Sequence, residues 1–392
     1  MKYLWIGANT DNQLKKIIVE GGGKLLSSTV SETNLLEGIY NIGTCIDTIN
    51  AYKFPLRLGD MPERRWNIYG GESVSVTYRN KKPFNRLSRE RALIKECRNW
   101  AYKNKNEEVV ILVYAMHSTF MVAAAEVKKI IPNAKFCLIV PDLPQYMDLA
   151  MSRVKTFLKA IDWIRIKNLL KYVDKYILYS KHMADFLKLK SGCWIVMEGS
   201  VNPKDIVEEE INAHEKAIMY SGVCDLRYGI PELLEAFSLI EDKKLKLWIT
   251  GAGNAEPLIK EYARNDERIK YFGFLPSRRE LLIKQKQSVM LVNMRKPDEA
   301  ASKYCFPSKL FEYMLSGNPV LSFKIPGIPD EYFDYLIPME STKAADIKNA
   351  ILKVLKMTED ERIVLGEKSR EFVINNKNKN AQAKKILEFC NE

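Results

Sequence analysis

The sequence predicts an α/β protein of two doubly wound domains, each built on a parallel sheet. Three observations predict it. The chain has 392 residues, too many for one compact core and suited to two. Short apolar runs alternate with helical stretches through both halves, which is the grammar of strand–helix–strand units. The run from Val109 to Tyr114 is apolar throughout, as in a strand covered on both faces.

Composition narrows the class. With 46 % apolar residues, 19 Gly and 16 Pro, the chain is globular rather than disordered or fibrous. The net charge of +12 favours anionic partners: phosphates, nucleic acid or an acidic membrane surface. The seven cysteines (45, 97, 137, 193, 224, 305 and 390) include no Cys-x-x-Cys pair. That argues against a disulfide framework and a zinc site and makes a reducing cytosol the expected compartment. The opening apolar run, residues 3–7, is too short for a signal peptide, and the longest, 109–116, falls far short of a membrane span.

The first domain is expected over 1–199. Residues 3–6 read as its first strand, followed by a Gly21-Gly22-Gly23 loop and a helix near 31–40. Glycines there let a backbone approach a ligand, and a plain turn accounts for Gly22 equally well. No GxGxxG occurs, so a dinucleotide fingerprint is absent. Residues 44–49 read as a second strand, and 53–88 as irregular with strand-like alternation at 73–78. A helix is expected at 87–103, the buried strand at 109–114, a small-residue helix at 120–130, then strands at 136–140, 175–179 and 194–198. Such a succession means a Rossmann-like sheet. His117 falls just past the carboxyl end of a central strand, where such sheets bind ligands. It is one of three His in the chain. Residues 151–175 carry Arg153, Lys155, Lys159, Arg165, Lys167, Lys171 and Lys175 among apolar residues at helical spacing. This is a basic amphipathic helix, suited either to acidic lipid or to a solvated domain face.

Residues 200–216 are polar and read as a linker. A second Rossmann-like domain is expected over 217–365, with strands near 217–221, 246–250, 269–273, 289–293, 320–323 and 335–338. Its helices are expected near 230–240, 255–264, 277–286, 307–316 and 344–356. Ser221-Gly222 leads through Arg227 to Gly229-Ile-Pro231, a strand–glycine–helix turn suited to phosphate. Gly251-Ala252-Gly253 repeats a tight strand–helix turn, and Tyr271-Phe272-Gly273-Phe274-Leu275 ends a third strand. The stretch 303–321 (KYCFPSKLFEYMLSGNPVL) reads as loop, helix and buried strand. Pro307 fits the first helical position and Gly317 the left-handed cap. The amides of Ser308 and Lys309, with the Lys309 charge, form a natural anion site. Glu312, one turn on, can reach hydroxyl groups.

This stretch resembles the signature segment of retaining GT-B glycosyltransferases, specifically glycosyltransferase family 4, the group 1 transferases. The family pattern is Glu, seven residues, Glu, a small-residue helix end and a Pro-Val-Val-like strand. Glu312 matches the second Glu, which in the family holds the donor ribose. The first Glu, which touches the transferred sugar, falls on Tyr304. The resemblance implies a GT-B fold, two Rossmann-like parallel-sheet domains facing a cleft, with the last helix (366–392) crossing back to the first domain. It further implies a nucleoside-diphosphate sugar as donor and a saccharide or polyprenyl-linked acceptor. The setting it implies is surface polysaccharide or glycoconjugate assembly at the inner membrane face, where 151–175 would meet acidic lipid. His117 would reach the donor sugar, and Gly22 would face the donor phosphates. Gly222, Arg227 and Gly251 would line the diphosphate, and the backbone at Phe274 and Leu275 would meet the base. The family's Arg and Lys in the first glycine turn fall on Val223 and Tyr228, which leaves Arg227 and Lys309 to carry the charge. No Asp-x-Asp occurs, consistent with a transferase that uses no metal or cofactor. Two alternatives remain: a non-catalytic GT-B-like subunit partnering an active transferase, and a nucleotide-binding oxidoreductase. A nucleic-acid partner would explain the charge but has no motif, and none is expected.

Overall fold

The computed structural model describes residues 1–21, 27–146, 153–208 and 215–392. The chain forms two units, Met1–Ser200 with Lys379–Glu392, and Val201–Asn378. The return to the first unit thus begins at Lys379, where the sequence placed it at 366. Of the expected linker, residues 209–214 lie outside the described residues.

Unit 1 runs β1 (Lys2–Gly7), α1 (Asn12–Glu20), α2 (Ser27–Asn41), β2 (Asp47–Asn50), β3 (Arg64–Ile68), β4 (Gly71–Ser75) and α3 (Asn85–Lys103). It continues with β5 (Val109–Tyr114), α4 (Ser118–Ile130), β6 (Lys135–Val140), α5 (Arg153–Leu169), β7 (Lys175–Leu178), α6 (His182–Leu187) and β8 (Trp194–Val196). The sheet order is β3-β4-β2-β1-β5-β6-β7-β8. Every neighbouring pair is parallel except β3–β4. The central strands β1, β5 and β6 are buried on both faces because their residues are apolar at successive positions, so period-2 alternation has no reason to appear.

Two elements depart from the sequence reading. Helix α1 stands between β1 and Gly21, so the first strand-to-helix turn is Gly7–Asp11 and not the triple glycine; Gly22 itself lies outside the described residues. The helix is only nine residues long and buries Leu14 and Ile18 alone, a single i,i+4 pair that leaves little periodic signal. Its start is fixed by Asp11, whose side chain accepts from the Leu14 amide. Strand β3 lies inside the stretch read as irregular. It is an edge strand of sequence RRWNI, and charged residues on an edge oppose further strand pairing. Arg65 there meets Glu63, Glu72 and Glu96, each at 2.8 Å.

Unit 2 runs β9 (Glu215–Ser221), α7 (Ile230–Ser238), β10 (Lys246–Thr250), α8 (Glu256–Asn265), β11 (Ile269–Tyr271), α9 (Arg278–Gln287), β12 (Ser288–Asn293) and α10 (Lys309–Leu315). It ends with β13 (Val320–Phe323), β14 (Ile337–Met339), α11 (Ala344–Leu355) and α12 (Glu359–Asn376). The six strands, in the order β11-β10-β9-β12-β13-β14, are all parallel. Order reverses between β9 and β12, which makes their carboxyl ends the switch point where such sheets bind ligands. Helix α10 is shorter than the sequence reading: Pro307 and Ser308 precede it, and the Leu310 and Phe311 amides close the first turn onto their carbonyls. Helix α12 passes so close to the end of α10 that a Cβ on Gly366 would lie 1.8 Å from the Gly317 carbonyl oxygen.

Helix α13 (Lys379–Asn391) packs on α2 in unit 1. The approach requires Gly38, since a Cβ there would meet the Lys379 carbonyl at 2.2 Å. Lys379 Nζ pairs with Glu37 at 2.5 Å and Asn41 donates to Asn380 at 3.1 Å.

Candidate functional site

In unit 2 the turns after β9, β10 and β11 are stitched together by their backbones. The Gly222 amide donates to Thr250 O, Gly251 to Gly273 O, and Cys224 to Ala252 O, at 3.0, 2.8 and 3.0 Å. Gly222, Gly251 and Gly273 all have positive φ, a conformation that favours glycine. A Cβ on Gly251 would lie 1.7 Å from Gly222 O, and one on Gly253 2.1 Å from Cys224 O. The Gly-x-Gly pattern is therefore demanded by turn-on-turn packing.

A cation stands over this platform. The Lys309 ammonium lies 4.1 Å from the centre of the Tyr220 ring and would be 3.2 Å from a Cβ on Gly222. It makes no ion pair among the described residues. Part of the side chain reaches the surface, but desolvation around its amine pulls the pKa down to about 7; Cys224 and Glu312 oppose the fall and Arg295 adds to it. The platform is rigid beneath it. Tyr313 from α10 accepts from the Ser221 amide at 2.9 Å and donates to Ser221 O at 2.7 Å, and Gln285 donates to Ser221 Oγ at 2.9 Å.

The other expected residues fall around this point unequally. Arg227 is held within its own turn by both oxygens of Asp225, at 2.8 Å each, and its guanidinium lies 5.7 Å from the Tyr228 ring. Arg295 covers the same ring at 4.6 Å; it also pairs with Glu299 and donates to Ser302 Oγ at 3.1 Å. The sequence reading missed Arg295. It follows β12 by two residues, at the carboxyl edge of a central strand, so the rule that selected His117 selects it too. Glu312 is bound by Arg278 at 2.8 Å, and Arg278 by Asp205 at 2.9 Å, so a residue outside the motif orients the carboxylate. Ser308 is exposed just ahead of α10. Phe274 is 74 % exposed beyond β11, with Leu275 beside it half-buried. Tyr304 is half-buried at the end of a short turn of helix, with Lys303 5.7 Å from its ring.

In unit 1, His117 caps α4 at the carboxyl end of β5. Its ring packs edge-on against Phe120 at 5.6 Å. The residue is exposed, yet desolvation lowers its pKa, with Arg89, Arg86 and Lys53 pushing the same way and Asp162 opposing. Arg86 donates to Ser118 Oγ at 2.8 Å and pairs with Asp162, to which Ser118 also donates at 2.7 Å. Under the first turn of the sheet lies Glu32, fully buried. It accepts from the Ala8 amide at 2.9 Å and Trp5 Nε1 at 3.2 Å. Burial outweighs these donors and raises its pKa to about 8.

Among the described residues, no group of three or more His, Cys, Asp or Glu is placed to hold a metal ion. None of the helices there is long and apolar enough to cross a membrane.

Comparison with known proteins fixes the fold. Residues 201–378 match the glycosyl transferases group 1 family. No curated protein matches the chain by sequence. Solved structures match over the whole chain. Trehalose-6-phosphate synthase OtsA has 11 % identity, covering 100 % of this chain and 99 % of its own, with a TM-score of 0.68. The lipopolysaccharide outer core galactosyltransferase WaaB has 12 % identity, 99 % of each chain and 0.65. HepE of Anabaena, in complex with UDP, has 12 % identity, 99 % of each chain and 0.64. At such identities the likeness shows the fold: two Rossmann-like parallel-sheet domains of GT-B type. The group 1 match covers the whole of unit 2, the unit that carries Lys309, Glu312 and the glycine platform.

Proposed function

We propose that the protein is a glycosyltransferase that moves a sugar from a nucleoside-diphosphate sugar to a saccharide or lipid-linked acceptor, with retention and without a metal, in surface polysaccharide or glycoconjugate assembly. The observation that carries the donor site is Lys309. A desolvated ammonium without a carboxylate partner, over a glycine turn at the switch point, is a costly arrangement that an arriving diphosphate relieves. The group 1 match supports the same reading.

In the proposed mechanism the bond between the anomeric carbon and the diphosphate oxygen breaks, and Lys309 and the amides of Ser308 and Lys309 take up the developing charge. Arg295 and Arg227, both on Tyr228, add positive potential. The acceptor hydroxyl attacks from the face the diphosphate leaves, and its proton passes to the departing phosphate oxygen. Glu312, oriented by Arg278, anchors the ribose. The backbone at Gly273, with Phe274 and Leu275, meets the base, and His117 supports the transferred sugar. Helix α5 exposes Phe157, Leu158, Ile161 and Ile164 beside Lys167 and Lys171, which suits a seat on acidic lipid. Flotation with phosphatidylglycerol but not phosphatidylcholine vesicles tests that seat.

A second reading, a non-catalytic partner subunit, draws on Tyr304 standing where the family has Glu. Calorimetric titration of the full chain with UDP, GDP, ADP and CMP decides the donor site. HepE's complex with UDP makes UDP the first choice. Saturable binding of one nucleotide, at least 30-fold weaker in Lys309→Ala and weakened in Glu312→Ala, is the expected result. No binding to any of them would remove the donor assignment, and binding without turnover of the matching nucleotide sugar would favour the partner-subunit reading.

A further inference from the structure

Arg89 is a cation of unit 1 whose bonding capacity is only partly met. It lies on α3 one turn after Arg86, its Nε is buried, and that atom has no hydrogen-bond partner. The neighbouring Tyr78 hydroxyl accepts from the guanidinium and is engaged on two further sides. It donates to Tyr52 O at 2.7 Å and accepts from the Phe54 amide at 2.9 Å. The carboxylate acting on Arg89 is Glu90, and Arg165 holds both of its oxygens, at 2.8 and 2.6 Å. Arg86 adds repulsion. A guanidinium kept from water beside a second cation, without a carboxylate of its own, is an arrangement a fold retains at a cost.

The surroundings point one way. The Tyr78 hydroxyl that Arg89 meets also bonds the backbone on both sides of Lys53, at Tyr52 O and the Phe54 amide, just past β2, and Arg89, Arg86 and Lys53 all act on His117, just past β5. Lys53 is exposed and makes no ion pair among the described residues. Asp162, the one carboxylate acting on His117, is already paired with Arg86 and accepts from Ser118. Two positive charges are therefore left over. A polyol alone offers them nothing; a phosphate offers both a charge and a set of acceptor oxygens that a guanidinium fits.

We propose that unit 1 carries a phosphate subsite, formed by Arg89 and Lys53 with Arg86 beside His117, which holds the phosphate of a phosphorylated acceptor. The phosphate sits either on a soluble sugar or on an isoprenoid carrier. Calling the ligand an acceptor rests on the glycosyl-transfer reading; the subsite does not.

The test is calorimetric titration of the full chain with inorganic phosphate, glucose, glucose 6-phosphate and farnesyl phosphate. It is repeated on Lys53→Ala, Arg89→Gln and, should that variant fail to fold, Arg89→Lys. Inorganic phosphate should bind saturably, glucose should not, and each variant should weaken phosphate about tenfold or more while leaving nucleoside diphosphate binding unchanged. Tighter binding of glucose 6-phosphate identifies a soluble acceptor, and tighter binding of farnesyl phosphate a carrier-linked one. The proposal falls if phosphate does not bind, or if it binds equally to wild type and Lys53→Ala. It also falls if the variants lose the nucleoside diphosphate together with phosphate, since the cluster then belongs to the donor. Failure of nucleotide binding alone would remove the donor reading and leave the subsite standing.

Discussion

Each unit places a desolvated titratable side chain against the turn of its first strand, and the two do opposite things. Under the β1 turn of unit 1, Glu32 is surrounded by donors: the Ala8 amide and Trp5 Nε1 reach its carboxyl. Over the β9 turn of unit 2, Lys309 faces an aromatic ring and a glycine and makes no ion pair among the described residues. Burial moves both toward neutrality, Glu32 up to about 8 and Lys309 down to about 7. A buried group whose bonding capacity is met inside the fold holds a turn together. One whose capacity is unmet is a candidate for binding a ligand.

The glycines around the two turns give the sharpest break between them. At Gly251 an added Cβ meets backbone, Gly222 O at 1.7 Å, in a residue with φ of +133°. At Gly7 it meets side chains, Glu32 Oε2 at 2.3 Å and Trp5 Nε1 at 2.7 Å. Gly273, also of positive φ, has nothing within 4 Å. Gly251→Ala should therefore destabilise its unit by about 3 kcal/mol or more, combining left-handed strain with overpacking. Gly273→Ala should cost only about 1 kcal/mol. Thermal unfolding of both variants checks the order, and a smaller loss for Gly251→Ala than for Gly273→Ala would mean the stitched platform does not bear on stability.

The second test concerns the charge on Lys309. The unfolded chain keeps that proton to about pH 10, while the folded chain sheds it near pH 7. Between those values the unfolded state holds more protons, so this group alone makes stability rise with pH. Binding runs the other way. A diphosphate needs the ammonium, so affinity should be highest at pH 6 to 7 and fall toward about tenfold per unit above pH 7. Titrations at pH 6, 7, 8 and 9 in buffers of differing ionisation enthalpy should show about one proton taken up at pH 8. Lys309→Arg, which keeps its charge, should bind without that uptake. A flat profile in the wild type would remove Lys309 from the diphosphate.

Legibility in the sequence follows the same division. The buried strands β5, β6, β9, β10, β12 and β13 were readable because a strand covered on both faces leaves a short, uninterrupted apolar run. Helix α1 and strand β3 were not: one shows a single apolar pair, and the other is five residues long and opens on two arginines. Lys309, Glu312, Gly222 and Gly251 stand in contiguous patterns and could be picked out directly. Arg295 and Arg278 carry no motif. Each matters through a partner far along the chain, Tyr228 for the first and Glu312 and Asp205 for the second. Glu32 and Arg89 look like ordinary helical charges until the tertiary fold removes water from one and leaves the Nε of the other unpartnered. The Gly-x-Gly at 251–253 was readable as a turn but not for its reason, because turn-on-turn packing belongs to neighbouring strands.

The last test concerns the structural half of the comparison. Glu32 has a folded pKa of about 8, above the unfolded value near 4.3. Its contribution to stability is therefore fully present below about pH 4 and drains away as pH rises through 8, where the carboxyl must ionise in a site without water. Glu32→Gln keeps an oxygen for the Ala8 amide and Trp5 Nε1 and cannot ionise. It should fold normally, come nearest to the wild type at about pH 4, and exceed it increasingly toward pH 8, read as a flatter dependence of the unfolding midpoint on pH. Glu32→Ala should lose stability at every pH, since it orphans both donors and opens a cavity. If Glu32→Gln were instead weaker than the wild type at pH 8, the donors would be holding a carboxylate. The two units would then each keep a charge in place, unit 1 for its own turn and unit 2 for a ligand.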